Sequence, residues 1–296
     1  MFNPDVRYVE DDELKYSLRS AELFLPWIRR VFLVTDNQVP EWLDRANPRV
    51  RVVDHTEFVS EPEWLPTFNS KAIAAQLHNI EELSEHFLCC NDDTFFGAPC
   101  QPEDFFAVLP DGRVTMKVML SESDDDWIIP AHWIEHDPLA RLWMAGWNNL
   151  KVTLEARRPW RKVRHLSIHQ AEAMTRSALR DTAQKFASDY RRTCASRFRN
   201  KDDINFIALT NYRCLAAKTA VRGMLPHRVF ARESDLDAYT RAELPTLFCV
   251  NGGPDETELT RERALQRLFP EPSSFERVRA PAARRETPPL ASERAP

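Results

Sequence analysis

The chain has 296 residues, 43% hydrophobic and 29% charged, the proportions of an ordinary globular protein with a sizeable core. A formal net charge of −5 argues against a general nucleic-acid binder, although Arg157 to Arg164 and Arg191 to Lys201 are locally basic. The six cysteines form no C-x-x-C pair, no run approaches the roughly 18 apolar residues of a membrane span, and the N-terminus lacks an apolar signal core, so an intracellular chain with reduced thiols is expected.

Asp11 to Leu25 reads as an amphipathic helix, with Leu14, Leu18, Ala21 and Leu25 at helical spacing and Asp11 and Asp12 placed to cap it. Val31 to Thr35 is a strand that ends at Asp36 and Asn37. Val39 to Leu43 begins a short helix, Pro40 standing at an early position where its missing N–H costs little. Val50 to Val53 is a second strand, ending at Asp54 and His55, and Ser70 to Leu77 is a helix. The stretch Phe87-Leu88-Cys89-Cys90 then runs apolar and stops abruptly at Asn91-Asp92-Asp93, ahead of Thr94, Phe95 and Phe96. Open α/β sheets bind ligands at the carboxyl ends of their strands, which makes Asp92 and Asp93 candidates for handling metal or phosphate. The same residue types also suit a solvated turn.

Three strands alternating with helices, each ending in polar residues, predict an α/β fold with a parallel sheet. The first element is a helix, so the strand that opens a doubly wound unit is missing, and with it one wall of the ligand crevice. From about Trp143 the pattern turns helical, with helices over Ala171 to Tyr190 and Ile204 to Ala220. Leu247 to Val250 is a late strand ending at Asn251, and Thr257 to Phe269 a helix capped by Thr257 or Asp255. Residues 277–296, rich in Pro, Ala, Arg and Glu, read as a disordered tail. The chain divides accordingly into an α/β half over 1–130, a mainly helical half over 131–276 that completes the site, and that tail.

Several blocks are familiar together. Glu13-Leu14-Lys15-Tyr16-Ser17-Leu18-Arg19-Ser20, Pro26-Trp27-Ile28-Arg29, Val34 to Leu43, Leu65-Pro66-Thr67-Phe68-Asn69-Ser70 and Asn91-Asp92-Asp93 follow in order. They resemble the Stealth family of sugar-phosphate transferases. His169 to Arg176 with Arg197-Phe198-Arg199 and Asp202 to Asn205 resemble that family's third block, and Leu247 to Asn251 with Leu268 to Glu276 its fourth. Three departures stand out. The family's first block, an apolar strand running into a Trp-Val-Asp-Gly type turn, has no counterpart, in keeping with the missing strand. Gly252 replaces a usual Asp, and Ala171 a usual Pro.

The resemblance implies a Rossmann-like, glycosyltransferase-A-like sheet. It also implies transfer of a sugar 1-phosphate from a nucleotide diphosphate sugar to a glycan hydroxyl, in capsule or exopolysaccharide synthesis. Such transfer is mostly positioning and charge neutralisation. Asp92 and Asp93 would hold Mg2+ or Mn2+, for which oxygen ligands suit. His169 would take the acceptor proton, and Arg199 would clamp phosphate oxygens with its planar fork. Lys15 and Arg19, four residues apart on one helix face, would meet a diphosphate or acceptor phosphate. Asp36, Asn37, Asn69 and Asn251 would bind substrate. Trp42, Phe68, Phe95 and Phe96 read as core rather than sugar platforms. Two rival readings use the same residues: a catalytically incompetent homologue that binds glycan or a partner, and a metal-dependent glycosyltransferase that moves the sugar without its phosphate. The expected location is cytoplasmic or peripheral to the inner membrane face, without a transmembrane segment.

Overall fold

The computed structural model describes residues 12–119, 170–200, 202–230, 234–250 and 258–277. They form a mixed α/β structure of small sheets and helices with no closed barrel. Helix α1 (Glu13–Phe24) runs through its centre, with Tyr16 to Ser20 buried around its whole circumference. Leu14 and Leu18 face Leu43, Val50 and Phe275, Tyr16 joins a second cluster with Phe95, Phe248 and Phe269, and Ala21, Phe24 and Leu25 lean on a third. Its buried hydroxyls have partners: Ser17 Oγ donates to Thr94 O at 2.7 Å, Ser20 Oγ donates to Ser17 O at 2.7 Å, and Phe96 N–H donates to Ser20 Oγ at 3.1 Å. Serines at these positions let a strand lie close against the helix without leaving polar groups unsatisfied. Asp12 does not cap α1 with its side chain; it adopts a left-handed φ of 57° and its carboxylate pairs with Lys15 at 2.6 Å.

Strands β1 (Val31–Thr35) and β2 (Val50–Asp54) pair in parallel, Val31 opposite Val50 and Thr35 opposite Asp54. Between them, Val39 to Leu43 forms a turn rather than the expected helix start, closed by Leu43 N–H donating to Pro40 O at 3.1 Å. A short helix α2 (His55–Phe58) follows β2, capped by Asp54, and α3 (Ser70–Ala75) is capped by Asn69. The third expected strand, β3 (His86–Cys89), pairs antiparallel with β7 (Glu172–Thr175), so the described residues hold several small sheets where one parallel sheet was expected. Strand β4 (Thr94–Phe96) is wholly buried and lies in a sheet with β10 (Leu247–Val250) and β9 (His227–Phe230). After α4 (Pro102–Phe105), β5 (Phe106–Val108), β6 (Val114–Met119) and β8 (Val221–Gly223) make the last sheet.

The stretch expected as helical over Ala171 to Tyr190 is β7 followed by α5 (Arg176–Lys185) and α6 (Ala187–Cys194), with a break at Phe186, so its first residues are strand instead. Helix α7 (Phe206–Ala216) and helix α9 (Glu258–Leu268) lie where helices were expected, with α8 (Ser234–Asp237) between them. Phe95 and Phe96 are buried as read from the sequence, and Trp42 is partly buried; Phe68 is not core, being 47% exposed.

Candidate active site

The chain leaves β3 at Cys89, turns through Asn91 to Asp93 and enters β4, Thr94 N–H donating to Asn91 O at 3.3 Å. Alternation along β4 and its antiparallel partner β10 fixes this turn from behind. Asp93 O accepts from Val250 N–H at 3.4 Å, and Cys249 Sγ donates to Asp93 Oδ2 at 3.1 Å. Asp92 Oδ1 accepts from Asp93 N–H at 3.2 Å. The bond from Ser17 to Thr94 anchors α1 to β4, and one turn earlier on α1 the Glu13 carboxyl stands beside both aspartates.

Electrostatics at this junction follow from placing like charges in a confined space. Burial first, then the charges of Asp92 and Asp93, raise the Glu13 carboxyl to about 7. Burial and the Asp93 charge raise Asp92 as well, and burial with the nearby Asp93 pushes the Cys249 thiol far up, which makes it a hydrogen-bond donor rather than a thiolate. Behind the turn, Glu172 on β7 is raised to about 7, chiefly by burial, and accepts from Asn211 Nδ2 of α7 at 3.0 Å. Neither Glu13 nor Glu172 was singled out from the sequence. Glu13 begins the run Glu13-Leu14-Lys15-Tyr16, but a carboxylate in a first helical turn is also what the helix dipole favours, so it carries no distinct signal.

Among the described residues, no three His, Cys, Asp or Glu side chains form a ready-made metal cage. The donor set nonetheless fits a hard cation of the magnesium type, which uses one or two carboxylates and fills its other positions with water and substrate oxygens. Asp92 and Asp93 present that pair, and the third carboxyl, Glu13, raised first by burial and then by their charge, marks a place where positive charge is favoured.

Other sequence-predicted residues lie in two further groups. Asp36 and Asn37 follow β1 on the surface, Asn37 in a left-handed φ of 53° with its N–H donating to Asp54 Oδ2 at 2.7 Å. Beside them His55 is buried, which lowers its pKa despite the nearby Asp36 and Asp54. Asn69 and Arg199 share the second group. Asn69 is buried, donating from Nδ2 to Asp203 Oδ2 at 2.8 Å and to Ser196 O at 3.1 Å, and Arg199 donates to Ser70 Oγ. Asn69 is thus a structural tie between α3 and the segment before α7.

Lys15 and Arg19 each have partners within the chain. Lys15 is bound to Asp12, and the Arg19 guanidinium is buried in a two-pronged contact with Glu276, both bonds 2.7 Å, and donates to Phe269 O at 2.8 Å. Arg19 fastens α1 to the residues after α9. His169 and Asn251 lie outside the described residues.

Comparison with known proteins places these groups in matched regions. Residues 7–111 match Stealth protein CR2, conserved region 2, and residues 168–212 match Stealth protein CR3, conserved region 3. An exopolysaccharide phosphotransferase of Streptomyces coelicolor is 38% identical over 287 residues, covering 92% of this chain and 46% of that protein. One from Nocardia farcinica is 36% identical over 302 residues, covering 95% and 56%, and one from Mycobacterium tuberculosis 32% identical over 308 residues, covering 95% and 53%. The chain spans about half the length of these relatives. Among the described residues no helix is long and apolar enough to cross a membrane.

Proposed function

Because the chain belongs to the Stealth family, we propose that it transfers a sugar 1-phosphate from a nucleotide diphosphate sugar to a glycan hydroxyl, forming a phosphodiester in exopolysaccharide or capsule synthesis. The observation that carries the reading is the junction of Asp92, Asp93 and Glu13 at a strand end within the match to conserved region 2. Phosphoryl chemistry needs charge neutralised on oxygen at such a point, and three carboxylates crowded together favour a cation there.

In this reading the acceptor oxygen attacks the phosphorus next to the donor sugar. The new P–O bond forms as the bond to the nucleoside monophosphate breaks, and the monophosphate departs. Asp92 and Asp93 would hold Mg2+ or Mn2+, which supplies Lewis acidity toward the phosphate oxygens. His169 takes the proton from the acceptor hydroxyl, and Arg199 holds phosphate oxygens through two parallel donors. Asp36 and Asn37, beside Asp54 and His55, remain proposed contacts to substrate, and Asn251 a contact to sugar. The chain works at the cytoplasmic face of the membrane, where nucleotide sugars are supplied.

The test is release of nucleoside monophosphate from a panel of nucleotide sugars, with divalent metal and an acceptor glycan, using the Streptomyces coelicolor relative as a positive control. Monophosphate release with a phosphodiester in the product is the expected result, and Asp92→Asn should lower kcat by about 10²–10³-fold. Nucleoside diphosphate with a glycosidic product would instead identify a glycosyltransferase. A folded chain that releases neither, beside an active control, would point to a non-catalytic binding protein.

A further inference from the structure

Cys249 lies 156 residues after Asp93, yet its side chain reaches that aspartate. It stands opposite Thr94 in the antiparallel pairing of β10 with β4, is wholly buried, and donates from Sγ to Asp93 Oδ2 at 3.1 Å. The thiol is carried on rigid backbone. β10 is buried along its whole length, with β4 on one side and β9 on the other. Phe248 stacks on Phe95 across the ladder, ring centroids 5.1 Å apart and planes 15° apart, and Val250 N–H donates to Asp93 O at 3.4 Å. Alternation along the strand turns Cys249 to the face opposite Phe248 and Val250.

The carboxylate torsion of an aspartate is broad and roughly two-fold, so backbone bonds alone do not choose the direction in which each oxygen points. Asp93 N–H donates to Asp92 Oδ1 at 3.2 Å and Asp93 O accepts from Val250, which fixes the main chain of the turn. The bond from Cys249 acts on the side chain itself. Groups that hydrogen-bond a metal-binding side chain from behind set its orientation, and losing one typically lowers metal affinity by ~10–100-fold. A thiol suits this position for two reasons. It behaves as a small hydrophobe, compatible with a strand that is buried throughout. It is also a weak donor, so it selects an orientation while leaving the carboxylate most of its charge for a cation.

We propose that Cys249 is a positioning residue for the cation site: its S–H holds the Asp93 carboxylate in the orientation that, together with Asp92, binds Mg2+ or Mn2+. The proposal rests on the reading of the two aspartates as the metal ligands of a transferase. It adds a contributor outside both matched regions, 7–111 and 168–212, so that strand β10 completes the site. Cys249 touches neither donor nor acceptor and acts only through Asp93.

The deciding measurement is binding of Mn2+ alone to the full chain, followed by electron paramagnetic resonance of the free ion, which needs no turnover. Cys249→Ala should weaken Mn2+ binding by about 10–100-fold. Cys249→Ser has nearly the volume of the alanine variant but keeps a donor, and should recover most of that loss. Urea unfolding run beside the titration separates packing from positioning, because a packing role would lower stability and leave the two variants alike in metal affinity. Unchanged affinity in Cys249→Ala, equal weakening in both variants, or a folded wild type that binds no Mn2+ would each overturn the proposal. The wild type supplies a second readout should the variants not fold. When Mg2+ draws charge from the Asp93 carboxylate, the infrared S–H stretching band of the thiol bonded to it should move to higher frequency, and an S–H region unaltered by Mg2+ would overturn the proposal. Mn2+ binding that depends on Cys249 without monophosphate release would remove the transferase reading and leave the positioning role standing; monophosphate release with Mn2+ binding indifferent to Cys249 would do the reverse.

Discussion

Glu13 shows how a single side chain reports on its neighbours. Its carboxyl titrates near 7 in the folded chain, against about 4.5 for an ordinary glutamate, because it is buried and faces Asp92 and Asp93. Between those values the folded state binds the extra proton, so the contribution to stability is complete below about pH 4.5 and is lost as pH rises through about 7. Glu13→Gln carries no such proton, and the variant should gain stability relative to the wild type progressively from pH 5 to pH 8 in urea unfolding. Glu172 titrates in the same region in both proteins and cancels from the difference. Parallel pH profiles for the two proteins would refute the placement of Glu13. At this scale the strand-end aspartates were legible because an apolar run broke off at them. Arg19 was not, since its partner Glu276 lies 257 residues away and no local pattern encodes that pairing.

Elements were legible where period and propensity agreed with tertiary demand. Strands β1, β2, β3 and β10 and helices α1, α7 and α9 fall where alternation and helical spacing put them. Strand β7 does not, because Glu172-Ala173-Met174 are helix-favouring residues held extended by pairing with β3. The short strand β4 was hidden behind the turn residues that precede it, and its close packing depends on one position. A methyl group on Gly97 would lie 2.2 Å from Pro245 O and 2.7 Å from Leu244 Cβ, contacts that no rotamer change relieves. Gly97→Ala should therefore push β4 away from the segment leading into β10 and cost about 3 kcal/mol, the upper part of the range for overpacking. Urea midpoints at constant m-value are the check; a loss under about 0.5 kcal/mol would mean that the two segments part easily.

At the scale of the molecule, three of the four small sheets among the described residues join strands from before residue 120 to strands after residue 170. Composition and periodicity suggested two halves, but pattern within a segment carries no information on which distant strand completes its sheet. The physical expectation is that the halves fold together. A fragment of residues 1–130 leaves β3, β4 and β6 without their partners β7, β10 and β8, and should give poorly dispersed amide NMR resonances and bind a hydrophobic dye. A well-dispersed, cooperatively melting fragment would show instead that the first half is a domain.

The contacts of α1 with the last described residues also have an architectural meaning. Leu14 and Leu18 share a cluster with Phe275, Arg19 grips Glu276, Glu22 accepts from Ser274 N–H, and Arg277 N–H donates to Trp42 O at 2.8 Å. The start and the finish of the described structure are thus sewn to one another, and the path of the backbone is nearly a closed ring. The ring could be joined there by a short linker and reopened at the surface hairpin around Gly112, giving a circularly permuted protein with the same interior.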